Sequence, residues 1–144
     1  MADYIHQVYY YETDKMGITH HSNYIRWMEE ARSQMLENMG WPYDRLERLG
    51  LVSPVLAINC KYKESTTYPH RIGVDVRIKE YSGVRLTVEY NMYNMATGNT
   101  VFTGTSEHCF LNKSGKVARL KKEFPEFHQA LQRVYEAEKA KGAE

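Results

Sequence analysis

Asn23-Tyr24-Ile25-Arg26-Trp27-Met28-Glu29-Glu30-Ala31-Arg32-Ser33-Gln34-Met35-Leu36-Glu37-Asn38-Met39 carries the clearest periodic signal in the chain. Its apolar residues Tyr24, Trp27, Met28, Ala31, Met35, Leu36 and Met39 fall three and four apart, the spacing of one buried helix face. Arg26, Glu29, Glu30, Arg32 and Glu37 take the other side. Ser22 or Asn23 can cap the start, because a short polar side chain there accepts from the free N–H groups of the first turn. Gly40, with Pro42 beyond it, marks the stop. The spacing predicts one long helix from Asn23 to Met39, and so apolar a helix needs a broad surface to cover it.

Away from this helix the period changes to two. Tyr4 to Glu12 reads as a strand, and Asp14-Lys15-Met16-Gly17 breaks it into a loop. Tyr43 to Leu49 reads as one or two helical turns. Val52 to Lys63, Arg71 to Tyr81, Val84 to Met95 and Thr100 to Leu111 read as strands. Tyrosine-rich stretches suit a half-buried sheet. Pro69, Ser82-Gly83, Thr97-Gly98-Asn99 and Ser114-Gly115 mark the joints, two of them short enough for antiparallel hairpins. Phe124, Phe127, Leu131, Val134 and Tyr135 lie on a closing amphipathic helix, and the charged tail from Ala137 to Glu144 is expected to fray. Strands following strands with few helices predict an α+β fold, an antiparallel sheet wrapped around the long helix. An open sheet edge would favour pairing with a second copy.

Size and charge narrow the class. The 144 residues, 16.9 kDa, allow one compact domain over 1–144. Lys plus Arg number 19 and Asp plus Glu 18, and that balance argues against a partner held by a basic surface, such as nucleic acid. No apolar run is long enough for a membrane span, and Met1 to His6 lacks the layout of a signal peptide. A cytoplasmic address is the expectation. Cys60 and Cys109 then read as reduced thiols on strands.

The chemistry concentrates in Tyr10-Tyr11-Glu12-Thr13-Asp14-Lys15-Met16-Gly17-Ile18-Thr19-His20-His21-Ser22-Asn23-Tyr24. A loop carboxylate is followed by a glycine and then by a helix start. A helix start offers unpaired N–H groups and a partial positive charge. Those donors polarise a carbonyl and stabilise the oxyanion that grows on it. A carboxylate on the other side of the same carbonyl attacks it or activates a water. Blander readings stand beside this one. Asp14 can cap a turn, and Trp27, Met28, Met35 and Met39 suit a core. Adjacent His20 and His21 rarely both ligate one ion, even with His6 or His108 nearby, so neither a metal nor a cofactor is expected. Arg85 suits an exposed strand, and Lys121-Lys122-Glu123 a solvated face.

The motif Asp14-x-x-Gly17-x-x-x-His21-x-Asn23-Tyr24, with the aromatic, Glu-rich helix behind it, resembles the 4-hydroxybenzoyl-CoA thioesterase group of hotdog-fold proteins. Within that group it is most similar to the short acyl-CoA thioesterases found beside Tol-Pal genes. The resemblance covers nearly the whole chain in length and element order. It implies an acyl-CoA substrate and a homodimer or homotetramer whose sites lie between copies. It implies that Asp14 is the catalytic carboxylate, as nucleophile or general base. Gly17 then lets the backbone turn near the substrate, and the N–H of His21 points at the thioester oxygen. Asn23 and Tyr24 brace the loop. Ser82-Gly83-Val84-Arg85 borders the pantetheine arm, and Arg119 contacts a phosphate. The chain departs from the group at Lys15-Met16 and at Glu64 to Pro69. Lys15 would favour the ionised Asp14 if the two approach, and the hydroxyls of the second segment could position water or satisfy a turn.

The leading expectation is therefore an acyl-CoA thioesterase that releases free acid and CoA. A dehydratase or hydratase on the same fold would need a His and a carboxylate converging, with His20, His21, Glu29 and Glu30 as candidates. A non-catalytic acyl-CoA binding protein would show a blocked pocket or an Asp14 turned away from the helix start.

Overall fold

A computed structural model describes residues 2–142. The order is β1 (Tyr4–Gln7), a 3-10 turn (Tyr10–Glu12), α1 (Ser22–Asn38), α2 (Tyr43–Arg48), β2 (Val55–Tyr62), β3 (Arg71–Tyr81), β4 (Leu86–Asn94), β5 (Thr100–His108), α3 (Leu120–Glu123) and α4 (Pro125–Gly142). The five strands form one antiparallel sheet in the order β1-β3-β4-β5-β2. β1 pairs with β3 in the register Tyr4↔Val74 to Gln7↔Arg71. Among the described residues no helix is long and apolar enough to cross a membrane.

The chain packs as two compact units, with β3, β4 and β5 each contributing to both. One unit holds the residues up to Met35, Cys60–Val76 and Tyr90–Gly104. In it Trp27, Met28 and Ala31 of α1 are fully buried, along with Ile72, Val74 and Phe102. The helical spacing thus places its apolar face as expected, and removing a core side chain the size of Trp27 would cost about 3–5 kcal/mol. Arg32, expected on the exposed face, is buried instead: its Nη1 donates to the Tyr90 hydroxyl at 2.9 Å. The other unit holds Leu36–Asn59, Arg77–Glu89 and residues from Thr105 onward. Its core includes Leu46, Ile78, Phe110, Phe127 and Leu131, with Trp41 and Phe110 both against the Phe127 ring. The helix stop reads as expected, since Trp41 N–H reaches back to Leu36 O at 2.9 Å past a Gly40 with φ of 84°.

Several element ends differ from the sequence reading, each for a local reason. β1 stops at Gln7, and Tyr10–Glu12 winds into a turn because the Glu12 carboxylate accepts from Tyr9 N–H at 2.8 Å. Tyr10 and Tyr11, about 80% exposed, therefore leave the sheet rather than half-burying in it. β2 begins at Val55, because Pro54 lacks the N–H a ladder needs, and Val52 is left as an isolated bridge to Leu111. β4 begins only at Leu86, because Ser82 Oγ accepts from both Val84 and Arg85 N–H and prolongs the turn. β5 ends at His108, which leaves buried Cys109 just beyond the strand, while Cys60 lies on β2; both thiols are free. Lys121, Lys122 and Glu123 are exposed, as expected, though on the short helix α3. α4 continues through Gly142, past the Ala137 at which fraying was expected; residues 143 and 144 lie outside the described residues.

β4 alternates along its length, whereas β2 opens on the apolar run Val55-Leu56-Ala57-Ile58, and the two strands differ in burial. β4 alternates strictly between buried and half-buried positions. β2 occupies a sheet edge, and its apolar residues Val55, Leu56, Ile58 and Tyr62 are each at least 40% exposed.

Candidate active site

The loop between the 3-10 turn and α1 closes on itself. Thr13 and Thr19 form an antiparallel bridge, Asp14 N–H donates to Ile18 O at 2.8 Å, and Gly17 N–H donates to Asp14 O at 2.9 Å. Gly17 holds φ at 79°, a conformation that side chains resist, although open space surrounds its Cα. So Gly17 is required by the turn and not by a close neighbour. Asp14 is half-buried, and its Oδ1 accepts from Met16 N–H at 2.8 Å. The turn-capping role considered from the sequence is thus real for one oxygen. No hydrogen bond among the described residues engages the other, Oδ2. Lys15 is exposed and makes no ion pair with Asp14.

A second loop buttresses the first. Thr67 Oγ1 donates to Gly17 O at 2.6 Å, and Thr19 N–H donates to Thr66 O at 2.8 Å. The Thr66 hydroxyl, almost fully buried, lies 2.6 Å from Thr19 Oγ1 and 2.9 Å from the Tyr24 hydroxyl. Burial raises the Tyr24 pKa, with the Thr66 hydrogen bond opposing it, so its hydroxyl stays neutral. The Tyr24 ring stacks on Phe102, with centroids 5.2 Å apart. The Thr66 and Thr67 hydroxyls therefore support the loop, and the Tyr24 hydroxyl joins Thr66 in that network.

The start of α1 is held differently from the sequence expectation. Ser22 and Asn23 do not cap it as acceptors for first-turn N–H groups. His20 does, its Nδ1 accepting from Ser22 N–H at 3.2 Å and its carbonyl from Asn23 N–H at 3.0 Å. The Asn23 amide instead donates to Glu12 O at 3.0 Å, and His20 N–H donates to the same carbonyl at 2.8 Å. His21 O accepts from Tyr24 N–H and from the Tyr62 hydroxyl, each at 3.3 Å. No hydrogen bond among the described residues engages the His21 N–H.

Asp14 and the helix start face one space. A cavity of about 480 Å³ is lined by Tyr11, Glu12, Thr13, Asp14, His20, Ser22, Asn23, Arg26 and Glu30. That volume lies within the ~300–1,000 Å³ usual for ligand sites. Gly17, His21 and Tyr24 are adjacent to this lining without belonging to it. Arg85 and Arg119 belong to the other unit; both are exposed, and Leu120 N–H donates to Gly83 O at 3.0 Å, so their segments are neighbours.

The sequence reading passed over Glu12. Its buried carboxylate accepts from His6 Nε2, Tyr9 N–H and Trp27 Nε1–H, each at 2.8 Å. Burial pushes its pKa up, but these hydrogen bonds together outweigh burial and hold it below the ordinary carboxylate value. His6 Nδ1 lies 3.2 Å from Glu30 Oε2, which also accepts from the Tyr4 hydroxyl at 2.6 Å. The signal available in the sequence was an acidic residue two places before Asp14, in a segment too apolar to solvate it. Among the described residues, no three His, Cys, Asp or Glu side chains converge as a metal-ligand set.

A five-stranded antiparallel sheet with helices packed on it is the hotdog class of α+β fold. The description Thioesterase-like superfamily matches residues 8–133, and the chain belongs to that family. It is a thioester hydrolase. The chain is 37% identical over 129 residues to a Bacillus subtilis (strain 168) protein named "Putative acyl-CoA thioesterase YneP", covering 89% of this chain and 93% of that one. It is similar to the DHNA-CoA thioesterase structure from Staphylococcus aureus, with 34% identity, a TM-score of 0.89, and coverage of 96% and 93%. A 1,4-dihydroxy-2-naphthoyl-CoA thioesterase from Synechocystis shares the fold at 18% identity and a TM-score of 0.80, with coverage of 90% and 93%.

Proposed function

We propose that this chain is an acyl-CoA thioesterase acting on aromatic acyl groups, with Asp14 as the catalytic carboxylate. The observation that carries the reading is the unengaged Oδ2 of Asp14 on the same cavity wall as the start of α1. The unengaged His21 N–H supports the second half of the machinery. In this reading that N–H and the dipole of α1 draw electron density onto the thioester oxygen. Asp14 then acts in one of two ways. As a base it takes a proton from water while the water oxygen adds to the carbonyl carbon, and collapse of the oxyanion breaks the C–S bond. As a nucleophile it displaces the thiolate to form a mixed anhydride, which water then hydrolyses. Either way one thioester and one water give one acid and one thiol. Gly17, Asn23 and Tyr24 hold this geometry.

The aromatic preference rests on the names of the relatives and on the aromatic surroundings of the loop. Tyr10, exposed, sits edge-on to Tyr68, with ring centroids 6.0 Å apart, and Tyr11 lines the cavity. A panel of bicyclic aryl, monocyclic aryl, short-chain and long-chain acyl-CoAs, assayed for thiol release, tests it. Fastest release from a hydroxynaphthoyl thioester is expected. Equal rates across the panel would overturn the preference, and a folded Asp14→Ala protein with wild-type rates would overturn the mechanism. After a single turnover in ¹⁸O water, label in the Asp14 carboxylate identifies a nucleophilic Asp14 whose anhydride water opens at the Asp14 carbonyl; attack at the acyl carbon puts the label in the product acid in either role.

The working unit in this reading is a homodimer. β2 is an edge strand of eight residues carrying Val55, Leu56, Ile58 and Tyr62 toward solvent. An unpaired apolar edge of this kind recruits another strand, and a two-fold axis would pair β2 with its own copy. β1, at the opposite edge, is only four residues long. Light scattering should report a dimer, or a tetramer built from it, and Leu56→Asp with Ile58→Asp should yield monomers. A monomeric wild-type chain would overturn the proposal.

A further inference from the structure

We propose that Glu12 is the positioning residue of the site, setting the Asp14 loop and the start of α1 at their working separation. The role rests on the thioesterase reading above but is argued from different contacts. Glu12 grips in three directions. Its carboxylate holds β1 through His6, its own turn through Tyr9 N–H, and the middle of α1 through Trp27 Nε1–H. Its carbonyl oxygen holds the tip of α1 through His20 N–H and the Asn23 amide. Asp14 follows two residues later, and His21 is the next residue after His20. One buried residue therefore ties down both halves of the proposed machinery while its oxygens are already taken by donors.

The carboxylate form is specifically required. A carboxylate accepts on both oxygens, whereas an amide accepts on one atom and donates from the other. In a Glu12→Gln protein, either orientation sets the NH₂ group against at least one donor, Trp27 Nε1–H or Tyr9 N–H. The side chain must then shift, and the carbonyl that carries His20 and Asn23 shifts with it. His6 extends the array. Its Nε2 faces Glu12 Oε1 at 2.8 Å and its Nδ1 faces Glu30 Oε2 at 3.2 Å, so the ring bridges two carboxylates.

The test compares the full-length wild-type protein with Glu12→Gln, using Leu131→Ala as a control that loses stability from the other unit's core. Two readouts are needed: kcat and KM for an acyl-CoA thioester, and hydrogen exchange of the two donors to Glu12 O, the His20 backbone N–H and the Asn23 side-chain amide. For Glu12→Gln we expect kcat to fall at least tenfold with KM within twofold, and both amides to exchange at least tenfold faster. Leu131→Ala should keep both readouts near wild type. Should Glu12→Gln fail to fold, His6→Asn reads the same array from its other side, with the same directions and a three- to tenfold size. Unchanged exchange in a folded variant would overturn the proposal even if kcat falls, as would an unchanged kcat or an equal kcat loss in the control. Absence of any acyl-CoA hydrolysis by the wild type would instead overturn the thioesterase reading, and the exchange result would still decide the role of Glu12.

Discussion

Glu12 and Asp14 are two carboxylates two residues apart, and the fold treats them oppositely. Glu12 is buried, and three donors saturate its oxygens. Asp14 lines the cavity and is half-buried, one of its oxygens closing a turn and the other engaged by no hydrogen bond among the described residues. Saturation removes reactivity, because each lone pair given to a fixed donor is withdrawn from attack or proton transfer. Openness preserves reactivity but gives up stability, since an unpaired oxygen near solvent contributes little to the folded state. The pair shows how one short loop divides its labour: an acid that anchors, and beside it an acid left available.

Substitutions at the two positions should therefore separate turnover from stability. The largest effect is expected from Asp14→Asn, which should lower kcat by roughly 10²–10⁴-fold, the usual worth of a positioned acid–base group, with little change in the denaturant midpoint. Glu12→Ala should do the reverse in stability: removing one partner of a buried, charged array should cost about 3–5 kcal/mol by urea unfolding. The contrast fails if Asp14→Asn unfolds the protein or if Glu12→Ala leaves the midpoint unmoved.

A pH series sharpens the same comparison. The folded state holds the Glu12 pKa below its ordinary value of 4.5, so the unfolded chain binds that proton more readily. The stabilisation from Glu12 is thus fully present above about pH 4.5 and is lost as pH falls through the lower folded value. Glu12→Gln should flatten that acid limb of the stability profile, whereas Asp14→Asn should leave it in place. The smallest effect is expected from Thr67→Val, which deletes the bond to Gly17 O. It should cost about 0.5–1.5 kcal/mol and lower kcat modestly, measured by unfolding and by steady-state rates.

Much of the fold was legible because burial wrote a period into the chain. Trp27, Met28 and Ala31 repeat at helical spacing and are buried, and the limits of β3 agree with the reading residue for residue. The misses occurred where a side chain overrode a local pattern. Tyr10 and Tyr11 look like strand residues until Glu12 closes a turn over them. Arg32 looks solvent-facing until the Tyr90 hydroxyl, 58 residues away, gives its guanidinium a buried partner. For the site, the spacing from Asp14 to Tyr24 was readable because all its parts are local. Thr66, Thr67 and His6 were not, because their roles depend on contacts from distant segments, and no periodicity records which hydroxyl will meet which carbonyl.

Tyr62 gives the edge strand a stake in the chemistry. It stands at the last position of β2, and its hydroxyl reaches the carbonyl of His21. Under the proposed dimer and mechanism, a copy docked along that border would also steady the peptide unit leading into the long helix, and diluting the copies apart would lower the rate per chain before any reacting group is touched.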